Sequence, residues 1–195
     1  MQTRGILLKG IVAMALGCLV LSGCGTTSES SGGAAVNTSK RQAIDASVDD
    51  ALAKLYAKVS GSKELVAKAQ GVLVFPNVVQ AGIGIGGEHG DGALRIGGST
   101  VGYYSTSSGS IGAILGVQTK AVIYLFMTQD ALNNFRNASG WSVSGDASVA
   151  LVKVGANGTI DSSTVTAPVA VFILTDSGLM FNVSLAGSKI TRLDI

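Results

Sequence analysis

Side chains that form disulfides, bind metals or transfer protons are scarce in this sequence. Its 195 residues include two cysteines, one histidine and two prolines. A single histidine argues against specific metal binding. Charged residues make up only 13% of the chain and the formal net charge is +2, so the basic excess of a nucleic-acid-binding protein is missing. We predict a protein without a metal, a cofactor or a nucleic-acid partner.

The first 24 residues have the pattern of a lipoprotein export signal. Arg4 and Lys9 precede an apolar run over 11–21, which at eleven residues is shorter than the ~20 needed to span a bilayer as a helix. The sequence Leu-Ser-Gly-Cys at 21–24 resembles the bacterial lipobox. That resemblance implies a diacylglyceryl group on the Cys24 thiol, cleavage before Cys24 and acylation of the new amino group. The alternative is an ordinary secretory signal with an incidental cysteine.

Cleavage at this position changes the composition of the chain. Removing residues 1–23 from 195 leaves 172, with Cys24 as the only cysteine and twelve basic residues against twelve acidic ones. An internal disulfide is then excluded. Residues 24–39 are small and polar, which predicts a flexible tether behind the lipidated Cys24. A glycine follows Cys24, which by resemblance to Gram-negative lipoproteins implies the outer membrane, facing the periplasm.

A helical period runs from Lys40 to Val59. Its apolar positions fall in one sector of the helix: Ile44, Val48, Leu52, Leu55, Tyr56 and Val59. Ser39 is the predicted N-cap. Lys40, Lys54 and Lys58 lie along one flank of this stripe, and Asp45 and Asp49 along the other. The spacing favours a stripe packed on the domain core with solvated lysines. The alternative is a lysine flank that meets anionic lipid headgroups.

From Gly71 onwards the period changes to two. A short helix over 62–70 precedes this change, and a helix over 128–137 with Thr128 as its N-cap interrupts it. We predict strands over 71–75, 78–87, 92–98, 100–107, 110–118, 120–127 and 141–154, and a hairpin from 169–175 and 179–187. Successive strands without intervening helices predict an α+β fold: a mainly antiparallel β-sheet, sandwich or barrel-like, packed with the N-terminal amphipathic helix and one internal helix.

The glycines after this change match a dinucleotide-binding pattern without its context. Gly82, Gly84 and Gly87 satisfy G-x-G-x-x-G, but a strand rather than a helix follows, and residues 103–112 lack the required acid. Alternation instead leaves Gly82, Gly84 and Gly86 as a bare face opposite two isoleucines. We predict that another layer packs closely on this face, a helix in preference to an acyl chain, and that Gly84→Leu destabilises the domain or blocks that contact.

The sequence gives little support for a metal site or for a hydrolase. Glu88, His89 and Asp91 are the types of side chain that bind metals, but a sharp glycine turn usually leaves such carboxylates solvated. A hydrolase would have to use His89 as its base, and no G-x-S-x-G nucleophile motif is present. A catalytic pair of carboxylates remains an alternative, because sequence does not give their separation.

Several stretches together resemble the SYLF domain, a lipid-binding domain of bacterial lipoproteins and of larger eukaryotic proteins. They are GVLVFPNVVQAGIGIGGEHGDG (71–92), VGYYSTSSGSIG (101–112), VIYLFMTQDALNNFRNASGW (122–141), DASVALVKVGANG (146–158) and GLMFNVSLAGSKITRL (178–193). The resemblance covers the chain in order from about residue 40 to the end, which sets the domain at 40–195. His89 stands where the family usually has an aromatic residue, and Ala186 where it has a glutamate.

The resemblance implies non-catalytic phospholipid binding through the N-terminal amphipathic helix and its basic residues. In this sequence those residues are Lys40, Arg41, Lys54 and Lys58. Since bacteria generally lack phosphoinositides, the implied partner is an anionic membrane phospholipid such as phosphatidylglycerol or cardiolipin. The alternative is a module that binds an envelope protein and contacts the membrane only through its lipid anchor.

Overall fold

The computed structural model describes residues 29–143, 149–153, 160, 166–180 and 187–195, with backbone alone at 29–32, 84 and 110–115. The predicted signal segment and Cys24 lie outside these residues. None of the helices described is both long and apolar enough to cross a membrane. The elements are α1 (Glu29–Lys58), α2 (Ser62–Lys68), β1 (Gly71–Ile96), β2 (Ser99–Phe126), α3 (Gln129–Asn137), β3 (Trp141–Ser142), β4 (Val149–Leu151), β5 (Val169–Thr175), β6 (Gly178–Leu179) and β7 (Lys189–Leu193).

The predicted α+β fold with a mainly antiparallel sheet is confirmed. The strands form one curled sheet, a half-barrel, in the order β3-β7-β2-β5-β4, with β1 paired to β2 and β6 to β5. All these pairs are antiparallel except β4 with β5. The hairpin of β5 and β6 is confirmed as far as Leu179, whereas residues 181–186, with Ala186, lie outside the described part.

Six short strands were predicted over 71–127, and this prediction was wrong in number. The segment forms two long strands, β1 and β2, paired from Gly71↔Phe126 to Ile96↔Ser99, which we call the ribbon. Pro76 does not end β1, because a register shift between Phe75 and Val78 leaves it outside the ladder. The acidic glycine segment 88–92 is not a turn either, since it stays paired with 104–108.

Around β5 the sheet is buried on both faces. Alternate residues of β5 enter two cores: Val169, Val171 and Ile173 face one, and Ala170, Phe172 and Leu174 face the other. In the first core α3 packs with an aromatic group that includes Trp141, whose ring lies edge-on to Tyr124 with centroids 5.9 Å apart. In the second core α1 and α2 pack on the opposite face. A strand buried on both sides reads as a continuous apolar run, as β5 does.

The apolar stripe of α1 packs as predicted, but the helix begins earlier. Ile44, Val48, Leu52, Leu55 and Val59 are buried, and Tyr56 is half-buried. The helix begins at Glu29, so part of the segment predicted as tether is helical and Ser39 is not an N-cap. No proline lies between 29 and 39, and a helix already nucleated by packing extends at little cost per residue.

The internal helix is confirmed in position and cap. In α3, the Thr128 hydroxyl accepts a hydrogen bond from the Ala131 amide at 3.2 Å. Leu132 and Phe135 face the first core, where the Phe135 ring lies 4.9 Å from that of Phe126. The cap satisfies one of the amides that a helix N-terminus leaves unpaired.

Candidate functional site

The lysine flank of α1 faces a groove beside the sheet. Lys54 and Lys58 line this lysine groove, which has a volume of about 240 Å³, together with β1 at Pro76–Asn77 and β5 at Leu174. The groove exists because the apolar stripe holds α1 flat on the second core, which leaves the flank at the edge of the sheet. The carboxylates of Asp50 and Asp176 also border it, so its charge is mixed.

The two lysines of this groove differ in how tightly they are held. The Lys58 ammonium donates to the backbone oxygens of Thr175 at 3.2 Å and Asp176 at 2.7 Å, which ties the end of α1 to the end of β5. Lys54 is exposed and makes no hydrogen bond or ion pair with any described residue. Lys54 is therefore the cation of this flank most available to a ligand.

Lys40 opens onto a second groove, which continues the first towards the N-terminus of α1. This apolar groove has a volume of about 630 Å³ and is bordered by Val79, Ala81 and His89. The two grooves share Ser47 of α1 and Pro76–Asn77 of β1. The Lys40 ammonium lies 2.9 Å from the Asp91 carboxylate, so it is paired within the protein. The flank thus joins a lysine-lined groove to an apolar one.

Arg41 does not join the three lysines. Its guanidinium donates through Nε at 2.7 Å, and also through Nη2, to the backbone oxygen of Ile195. It borders neither of the two grooves. The structure therefore gives Arg41 a fastening role between α1 and the C-terminus, a contact that sequence spacing could not indicate across more than 150 residues.

A buried ion pair that sequence analysis missed lies between the two grooves, with Lys120 bordering the lysine groove and Glu88 the apolar one. The Lys120 ammonium on β2 lies 2.7 Å from the Glu88 carboxylate on β1, and the two side chains are 5% and 13% exposed. Removing one member of such a pair leaves an uncompensated charge in a poorly solvated place. Glu88 is held there, so it does not converge with His89 and Asp91, whose side chains lie 3.6 Å apart.

The acidic flank of α1 binds the far end of the ribbon. Asp45 accepts hydrogen bonds from the Thr100 hydroxyl at 2.7 Å and the Tyr103 hydroxyl at 2.8 Å. Asp49 pairs with Arg95. Burial, with a further contribution from Asp45, raises the pKa of Tyr103, and the hydrogen bond from Arg95 lowers the pKa of Asp49. Sequence analysis missed this network, although Arg95 is an isolated charge within an apolar strand.

The glycines of β1 are approached by the chain's own backbone. A Cβ on Gly82 would overlap Gly86 and the Ile85 oxygen, because β1 bends on itself there. No helix packs on Gly82 among its described neighbours, and the side-chain environment of Gly84 lies outside the described part. The glycines that meet another part of the sheet are ones we did not single out. A Cβ on Gly90 would lie 2.9 Å from the Asn77 oxygen, and one on Gly92 would overlap the Val74 oxygen.

Where the ribbon bends, large apolar side chains face solvent. Ile83 is 82% exposed, Ile85 73% and Val117 71%. These values identify the most exposed large apolar residues among those described. We call the surface formed by Val79, Ile83, Ile85 and Val117 the bend patch.

The C-terminal part of the chain matches a known family. Residues 107–194 match the family model described as Ysc84, Las17-binding protein actin regulator. The matched range begins within β2 and runs through α3 to β7. It thus contains the strands that complete both cores, while α1 and its lysine flank lie outside it. No curated protein matches the chain.

Proposed function

Because the chain is a protein of the SYLF (Ysc84) domain family, a lipid-binding or actin-regulating family, we propose that it binds anionic phospholipid without catalysis. The protein is anchored through lipidated Cys24 at the outer membrane and faces the periplasm. Its folded domain then adds a second contact with the same membrane. Lys54 and Lys58 bind the headgroup, and Lys40 contributes at the edge of the apolar groove.

The observation that carries this proposal is the single flank on which these lysines lie. Three ammonium groups from one side of α1 border two connected grooves, and Lys54 has no described partner. Each lysine near an anionic surface contributes about 1 kcal/mol, which suffices to supplement an anchor but not to replace it. Because Lys40 and Lys58 already have partners, Lys54 contributes most.

The connected grooves also have the polarity that a phospholipid requires. The lysine groove is polar and charged. The exposed surface of the other is mostly apolar, with Val79, Ala81 and Ile44, although Lys40, Glu88 and Asp91 also border it. A headgroup phosphate at Lys54 places the apolar part of the lipid towards Val79. An apolar pocket with a few polar groups at one end is the usual form of a lipid or cofactor site.

Vesicle flotation tests the proposal. A form lacking residues 1–24 is mixed with vesicles of phosphatidylcholine alone or with phosphatidylglycerol. We expect it to float with the anionic vesicles, to detach as salt screens the charges, and to lose binding on Lys54→Glu. The double variant Lys63→Glu and Lys68→Glu on α2 is the control, because both are exposed lysines that border neither groove.

If the form lacking residues 1–24 ignores anionic vesicles, or if Lys54→Glu and the α2 variant bind alike, this lysine flank is not a phospholipid site. That outcome favours the second candidate, an envelope-protein-binding module with membrane contact only through Cys24. The family description, which names a Las17-binding protein, supports protein binding as that alternative. Cross-linking in intact cells would then identify a protein partner.

A further inference from the structure

Three residues of the bend patch lie on one face of the ribbon. Ala81 lies opposite Val117 and Val79 opposite Thr119 in the register, so Val79, Ile83 and Val117 point to the same side. Val79 and Ala81 also border the apolar groove. The exposed face is therefore continuous with the groove beside Lys40.

Charge is absent from the whole bend. Residues 79–87 and 108–119 contain no Asp, Glu, Lys or Arg, although the most exposed large apolar residues described, Ile83, Ile85 and Val117, lie there. An exposed ribbon in water normally carries charged side chains, which also prevent it from pairing with other chains. Apolar patches without charge mark surfaces that are covered by a partner or a membrane.

The N-terminus of α1 leaves the body beside this patch. Lys40 and Ile44 of α1 border the same groove as Val79 and Ala81, so the helix segment 29–39 and the bend extend from one groove. Val36 on that segment is another exposed large apolar residue. Five residue steps lead from Cys24 to Glu29, and at ~3.6 Å per step they span at most about 18 Å. The eleven steps of helix to Lys40 add about 17 Å.

From this placement we infer that the bend patch inserts into the bilayer to which Cys24 is anchored. Ile83, Ile85 and Val117 enter the boundary between headgroups and acyl chains, while the lysine flank stays at headgroup level. The inference rests on the proposed function and adds a second kind of contact to it. Binding through the lysines depends on the charge of the lipid, whereas insertion of the bend patch depends on the hydrocarbon of the bilayer.

The experiment places a fluorescent reporter in the bend. Residues 24–195 include every described contact, and Cys24 is their only cysteine, so the protein can be coupled through it to maleimide lipid in vesicles. Trp141 is buried and gives a constant background. Ile83→Trp is compared with Val101→Trp. Val101 is partly exposed and lies close to the hairpin turn at 97–98, away from the bend.

On vesicles of brominated phosphatidylcholine we expect Ile83→Trp emission to shift to the blue and to be quenched, and Val101→Trp emission to stay unchanged. If neither tryptophan is quenched, the bend does not insert, even where the uncoupled protein floats with anionic vesicles. Equal quenching of both also contradicts the inference, because the bend is then not the inserted part. A blue shift without quenching, accompanied by a dimer in analytical ultracentrifugation, assigns the patch to a second copy of the chain.

A second variant separates this inference from the proposed function. Ile83→Ser with Ile85→Ser should lower flotation of the uncoupled protein on anionic vesicles while its salt dependence persists. Lys54→Glu should instead abolish flotation of the uncoupled protein on anionic vesicles. If the serine variant floats as well as the unchanged protein, insertion is refuted and the lysine contact stands. Loss of flotation on Lys54→Glu with quenching of the coupled Ile83→Trp protein unchanged would support insertion.

Discussion

Two regions of the ribbon, its open end at 72–75 and the bend, both carry large apolar side chains but differ in their surroundings. At Val72–Phe75, paired with Val122–Leu125, every apolar side chain is buried, because β5 extends the sheet and helices cover both faces. At the bend, Ile83 and Val117 are mostly exposed, since no described element lies over them. An apolar pattern thus predicts a strand, but burial depends on what the rest of the chain places above it.

The largest expected effect comes from truncating the same residue type in these two regions. Ile123→Ala should lower the free energy of unfolding by about 2–5 kcal/mol, because it leaves a cavity between α1 and the sheet. Ile83→Ala should change it by less than about 0.5 kcal/mol, because the side chain is exposed. Urea denaturation measures both. Similar losses would mean that the bend is packed in solution.

A smaller effect is expected from the glycines that let the ribbon fold over itself. Gly92→Ala should cost about 1–3 kcal/mol, because the new Cβ overlaps the Val74 backbone oxygen, which cannot move without distorting the sheet. Gly109→Ala is the control at the bend, where a Cβ would meet no described atom within 4 Å. Thermal unfolding gives the melting temperatures of the two variants. Equal melting temperatures would contradict the close approach.

The smallest expected effect is the pH dependence of the contact between α1 and the far end of the ribbon. Arg95 holds the folded-state pKa of Asp49 below its ordinary value of 3.8. The stabilisation is therefore present above pH 3.8 and is lost as pH falls through the folded-state value. Asp49→Asn should make the loss of stability below pH 3.8 shallower, as measured by urea unfolding at several pH values. Asp50→Asn, which does not touch Arg95, should leave the acid branch unchanged.

Local signals in the sequence located much of the candidate site but not its contacts. The 3.6-residue period of α1 placed Lys40, Lys54 and Lys58 on one flank, because helix geometry alone fixes that relation. It could not indicate that Lys40 pairs with Asp91 or that Arg41 binds Ile195, since these partners lie far along the chain. The pair of Glu88 with Lys120 was missed for the same reason.

The sequence by itself determined the elements whose causes are local: the buried stripe of α1, the Thr128 cap of α3 and the continuous apolar strand β5. Tertiary structure decided the rest. It made residues 88–92 a strand rather than a turn, because Gly90 and Gly92 admit the backbone of 74–78. It also left the bend uncovered, because β5 and β7 pair with β2 only at 121–126 and 103–107. Local patterns determine the secondary structure of a segment and which of its residues share a face, whereas long-range packing determines which of those faces are covered.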